Sequence, residues 1–238
     1  PETPKSGMNE AQNMLQLKKS LLTAELEDAL EQGICPICHL RGEMEYRSLD
    51  MFLYERVNDI AARRSIAENK GFCVYHTYRL LEVGGFGSHA KIAMIYKSVV
   101  DALAEEVGLL DERQAAHVDM DGHCPVCRTV AETERNYTQV LSTALRHEPF
   151  RQKYGRSAGL CMRHYYQVYD QGERSVRLFL KQDQSRRLAS LSADLGEFIR
   201  KSVVKTEPFG AEKDSWIRVI RLCAGTLKSA TKYPEGAS

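Results

Sequence analysis

Eight side chains stand in a repeated pattern whose types and spacing are those of a metal site. Cys35-Pro36-Ile37-Cys38 is followed by Cys73-Val74-Tyr75-His76, and Cys124-Pro125-Val126-Cys127 is followed by Cys161-Met162-Arg163-His164. The Cys-x2-Cys pairs are offset by 89 residues and the Cys-x2-His pairs by 88, which leaves spacers of 34 and 33 residues. Even Glu43 and Glu45 find Glu132 and Glu134 at the first offset. Register kept over this length points to internal duplication.

The spacing has a physical reason. Two residues between cysteines let one turn of chain present both sulfurs to a single ion. A Cys and a His three apart at the start of a helix share a face. Three soft thiolates and one imidazole make a closed tetrahedral zinc set. The matched spacers, each long enough for a helix and a return, favour closure within a repeat. Cys35, Cys38, Cys73 and His76 would then hold one zinc, and Cys124, Cys127, Cys161 and His164 the other. A cross-brace, in which the Cys-x2-Cys of one half meets the Cys-x2-His of the other, stays open.

The ion stays open as well. Two [4Fe–4S] clusters accept similar ligands and would make an electron-transfer protein, although histidine is a less usual ligand there. Thiol–disulfide chemistry at each Cys-Pro-x-Cys would use the lowered thiol pKa of a helix N-terminus. That reading leaves the paired Cys-x2-His unexplained, and no βαβ pattern accompanies it. His39 and His123 flank the Cys-x2-Cys pairs and are read as supporting or solvent groups sooner than as substitute ligands. No Gly-rich phosphate loop, nucleophile elbow or HExxH motif is present, so no catalytic residue is assigned.

Apolar residues recur at helical steps almost throughout, and no sustained strand period exists, so the class is all-α. Residues 1–33 read as a lead-in and an N-terminal helix carrying Met14, Leu17, Leu21, Leu22, Leu26 and Leu30, ended by Gly33. Residues 34–107 form the first repeat, with one helix expected to run to about residue 67 and a break at Asn69-Lys70-Gly71. Residues 108–123, rich in Asp and Gly, connect it to the second repeat at 124–205, where Pro149 and Gly155 interrupt a helix. Residues 206–238 form a C-terminal helix and tail, in which Cys223 is a small core residue and Trp216 is read as seated in the core sooner than as part of a docking surface at 207–216.

Composition narrows the classes. A 43% hydrophobic and 27% charged content is that of an ordinary globular protein. The formal charge of +1 indicates neither a nucleic-acid nor a membrane partner. No apolar run approaches the roughly 18 residues of a membrane span. The first residues lack the basic-then-apolar order of a signal peptide. A cytoplasmic protein is therefore expected, in which the six of seven cysteines in this spacing serve as metal ligands sooner than as disulfides. Arg63-Arg64, Arg186-Arg187 and the trio Arg200, Lys201 and Lys205 are read as solvated helix faces, with nucleic-acid binding the weaker alternative.

The runs CPICHL…GFCVYH and CPVCRT…GLCMRH, with the tail segment EPFGAEKDSWIRVI, resemble a prokaryotic domain family of unknown function. The resemblance covers residues of roughly 30 to 225 and treats the halves and the tail as one unit. It implies no activity. The expectation is a non-catalytic, zinc-stabilised helical adaptor whose partner is another protein.

Overall fold

The computed structural model describes residues 21–109, 124–204 and 207–227. Among these no strand occurs, and the chain is helical as its periodicity predicts. Helix α1 covers residues 21–30. It is followed by α2 (Pro36–Tyr54), α3 (Ile60–Glu68), α4 (Val74–Gly84), a 3-10 turn (Gly85–Ser88) and α5 (His89–Gly108). The second half holds α6 (Pro125–Ala144), α7 (Glu148–Arg156), α8 (Met162–Gln171), α9 (Arg174–Val204) and α10 (Ser215–Ala224).

The single helix expected up to residue 67 is two helices. Asp59 caps α3, its carboxylate accepting from the backbone N–H of Ala61 at 2.8 Å and of Ala62 at 3.4 Å. The helix closes at Lys70, whose φ of 58° places it in the left-handed region. The N–H of Gly71 then reaches the carbonyl of Ile66 and that of Lys70 reaches Ala67, the two bonds of a Schellman stop. Pro149 does not break a helix but starts one, in the first turn of α7, where its missing N–H costs nothing.

The chain divides into two compact units that cut across the repeats. One holds the described residues up to Leu40 and then Glu134–Leu227, and the other holds Arg41–Thr133. Each unit has its own apolar core. In the first, Leu26 and Leu30 of α1 pack with Leu141 and Leu145, Tyr154, Val168, Val176 and Leu180. In the second, Leu49 and Leu53 pack with Ile66, Leu80, Ile95, Val99, Val126 and Val130. Cysteines belong to both cores: Cys35, Cys38 and Cys161 to the first and Cys124 to the second.

Two expectations for the C-terminal helix do not hold. Trp216 is 51% exposed, and Cys223 is exposed rather than core. The orientation of α10 is set before it begins. Glu212 accepts from the N–H of Gly210 and from the Lys201 ammonium, both at 2.8 Å, and Ser215 is fully buried at the first position of α10. That placement leaves Trp216 on the outer side.

Candidate metal centres

All eight sequence-predicted residues fall into two groups of four. In each group the ligand atoms lie within 4.8 Å of one another. The grouping is not the within-repeat closure that the spacers favour. Cys35 and Cys38 meet Cys161 and His164, and Cys124 and Cys127 meet Cys73 and His76. Each spacer is built of one long and one short helix. Helix α2 has 19 residues and α3 only 9, about 28 Å followed by about 14 Å of helix. Helices α6 and α7, with 20 and 9 residues, repeat the mismatch.

Every donor sits at a helix start. Pro36 opens α2 and Pro125 opens α6, so the first cysteine of each pair precedes the helix and the second lies in its first turn. Cys73 and Cys161 are the N-caps of α4 and α8, with nearly the same backbone angles, φ −61°, ψ 163° and φ −67°, ψ 162°. The histidines follow three residues later and turn Nδ1 to the sulfurs. In the first group His164 Nδ1 is 3.3, 3.4 and 3.2 Å from the sulfurs of Cys35, Cys38 and Cys161. In the second, His76 Nδ1 is 3.2, 3.4 and 3.3 Å from those of Cys73, Cys124 and Cys127. Sulfur pairs stand 3.7 Å apart at Cys38–Cys161 and 3.6 Å at Cys73–Cys127.

The opposite ring nitrogen of each histidine faces a buried carboxylate. His76 Nε2 is 3.2 Å from Glu45 and His164 Nε2 is 3.5 Å from Glu134. These glutamates are the functional residues that motif reading missed. Their signal is the shared 89-residue offset together with their place seven residues after Cys38 and Cys127. Each is steadied by the residue three after the histidine. Arg79 reaches Glu45 at 3.3 Å and Gln167 reaches Glu134 at 2.7 Å. Carboxylate–histidine pairs of this kind fix the tautomer and the ring orientation of a metal ligand. In the neutral ring Nδ1 then keeps its lone pair on the side of the sulfurs.

Electrostatics without an ion already favour charge separation. Burial opposes the His76 imidazolium, but Cys124 and Glu45 outweigh it and hold its pKa at about 10. For His164 burial is likewise outweighed, by Cys161, Cys38 and Glu134, to about 11. Cys124 resists burial through the His76 hydrogen bond and the N–H groups of Cys73 and Cys127, and lies at about 6. Hydrogen bonds from Cys35 and Cys38 hold Cys161 far below an ordinary thiol. Burial pushes Cys35 up, and burial with the Cys73 hydrogen bond pushes Cys127 to about 12.

The two groups differ in exposure. Cys35, Cys38, Cys161 and His164 are all buried, whereas Cys127 is exposed and Cys73 half-buried. A strap of chain closes the first group. The Thr226 N–H lies 3.4 Å from Cys38 Sγ. A Cβ on Gly225 would stand 3.2 Å from that sulfur and 3.6 Å from Cys161 Sγ. His39 is half-buried and belongs to neither group, while His123 lies outside the described residues. Lys205 also lies outside them. No described helix is long and apolar enough to cross a membrane.

Comparison with known proteins agrees with the resemblance in the motifs. The model of a family of unknown function, DUF6062, matches residues 17–230, and the chain belongs to that family. A similar protein is the "Uncharacterized 23.9 kDa protein in xynA 3'region" of Caldicellulosiruptor sp. (strain Rt8B.4). It is 26% identical over 137 residues, which cover 57% of this chain and 66% of that relative, just under two thirds of its length. No solved structure matches.

Proposed function

We propose that this member of the family binds two zinc ions, each on a closed Cys3His set, and uses them to hold a non-catalytic helical scaffold that docks another protein. The observation that carries this reading is the convergence of four donors within 4.8 Å, twice, at helix starts. A tetrahedron with zinc–sulfur bonds of about 2.3 Å and zinc–nitrogen bonds of about 2.0 Å has S···S edges of about 3.8 Å and S···N edges of about 3.5 Å. The sulfur pairs at 3.6 and 3.7 Å and the sulfur–nitrogen pairs at 3.2 to 3.4 Å are close to those edges. A [4Fe–4S] cluster bound at four separate irons would spread its ligand atoms to about 6 Å, beyond this spacing. Four protein donors also leave no open coordination position of the kind catalytic zinc keeps.

Zinc would supply a redox-inert cross-link between helix starts distant in sequence. The residues themselves do the rest. Glu45 and Glu134 orient the imidazoles, the helix N-termini favour thiolates, and the two cores exclude water from most of the sulfurs. A protein partner is supported by exposed apolar side chains at helical spacing, Val74, Tyr78 and Leu81 on α4 and Trp216 and Ile220 on α10. The described members of the basic clusters on α9 all have carboxylate partners. Arg186 and Arg187 share Asp183, Arg200 pairs with Glu197 and Glu207, and Lys201 pairs with Glu212.

Elemental analysis and an absorbance scan of protein purified without oxygen test the reading. Two zinc ions per chain, a featureless visible spectrum and loss of far-UV helical signal on chelation are expected. Iron with a band near 400 nm (approximate, typical of such clusters) that dithionite bleaches would replace it with the electron-transfer alternative.

A further inference from the structure

Beside the first metal centre lies a cavity of about 520 Å³, within the range of small-molecule sites. Its walls come from the loop before α2, the α7–α8 loop, α9 and α10. Four guanidinium groups, those of Arg186, Arg187, Arg218 and Arg221, line it, and among the described residues no carboxylate does. Ile34, Leu160, Leu191 and Leu222 form its apolar part. Cys35 and Cys161 belong to the wall, but at 6% and 2% exposure their sulfurs lie behind it.

The four arginines have different duties. Arg187 is built in, donating to the carbonyls of Ser157 at 2.7 Å, Tyr154 at 3.1 Å and Gly155 at 3.3 Å, and to Asp183 at 2.5 Å. Gly159, at φ +75°, lets the chain pass here, because a Cβ would stand 2.7 Å from Arg187 Nε. Arg218 is clamped between Asp194 at 3.0 Å and Asp214 at 2.8 Å. Arg186 shares the single carboxylate of Asp183 with Arg187, and its side chain is 70% exposed. Arg221 is exposed and makes no ion pair among the described residues. Against the three carboxylates that partner them among the described residues, the four arginines leave one positive charge unmatched, carried by the exposed Arg186 and Arg221.

We infer that this cavity binds a small organic carboxylate, its head on Arg186 and Arg221 and its apolar body against Ile34, Leu160, Leu191 and Leu222. The planar guanidinium fork matches a carboxylate in two parallel hydrogen bonds. A single unmatched charge suits a monoanion better than a phosphate dianion. The site needs no open coordination position at the metal centre, so it stands apart from the identity of the ion.

Isothermal titration of the metal-loaded protein with octanoate and with hydrocinnamate tests the inference, with acetate, inorganic phosphate and octanol as comparisons. Saturable binding of the first two is expected, with each comparison weaker by roughly tenfold or more. R186A/R221A should weaken octanoate by roughly tenfold or more while its metal content and melting temperature stay those of the parent. Absence of saturable binding by either carboxylate would overturn the inference. So would octanol or phosphate binding as tightly as octanoate, or undiminished binding by the double variant. Metal content measured on the same samples separates this failure from a failure of the zinc reading.

Discussion

Replacing Glu134 by Gln removes a charge from behind His164 without changing the size of the side chain. Burial works against this carboxylate, yet His164, Gln167 and Arg163 outweigh it and hold its pKa at about 2, against 4.5 for an ordinary glutamate. That difference corresponds to roughly 3 kcal/mol of preferential stabilisation of the charged form. His164 heads the partners that stabilise this carboxylate. In E134Q the imidazole loses that support, and zinc affinity at Cys35, Cys38, Cys161 and His164 should fall by roughly tenfold to a hundredfold. The assay is competition with a chromogenic chelator, followed by alkylation and mass mapping of the cysteines exposed at half extraction. Cys35, Cys38 and Cys161 should be labelled first. Glu134 shares α6 with Cys127, yet Cys124 and Cys127 should keep their protection, because their histidine is backed by Glu45. Early labelling of Cys124 and Cys127, or an unchanged affinity, would refute the reasoning.

Other outcomes follow from the same geometry. At pH 7 the metal-free second centre holds a proton on His76, at about 10, and on Cys127, at about 12, while Cys124, at about 6, is mostly thiolate. Zinc must displace at least those two protons, so affinity should rise roughly a hundredfold or more from pH 7 to pH 8 and fall as the pH drops. Competition titrations at the two pH values check this, and a rise below tenfold would contradict it. Gly225→Ala should destabilise the chain by about 1 to 3 kcal/mol, because φ 81° with ψ −173° is essentially glycine-only backbone. The added methyl also presses on Cys38 Sγ, so alkylation of Cys38 should quicken relative to Cys73. Equal rates in parent and variant would remove the strap from the account.

The donors were legible because chemistry constrains them locally. Two sulfurs on one turn and a histidine three after a cysteine are properties of short segments, and duplication doubled the signal. The grouping was not legible, because a spacer length counts residues and not their path. The break between α2 and α3 depends on the cap at Asp59, which an unbroken apolar period across residues 40–61 conceals. Glu45 and Glu134 kept the repeat offset, but a role for a buried carboxylate appears only when its histidine is placed beside it. Trp216 and Cys223 lie on an apolar helical stripe, and a stripe shows that a helix is amphipathic without showing which face is covered. Ser215 and Glu212 decide that by anchoring the start of α10. Arg187 was legible only as half of a basic pair, since the carbonyls it binds lie some 30 residues away in the chain.

The central claim is that the centres exchange halves between the repeats, and Cys35→Ser tests it most directly. Zinc content and cysteine accessibility of this variant are read together by elemental analysis and alkylation mapping. Loss of one zinc of two is expected, with Cys38 and Cys161 becoming reactive while Cys73, Cys124 and Cys127 stay protected. Reactive Cys73 with a protected Cys161 would contradict it and restore closure within each repeat.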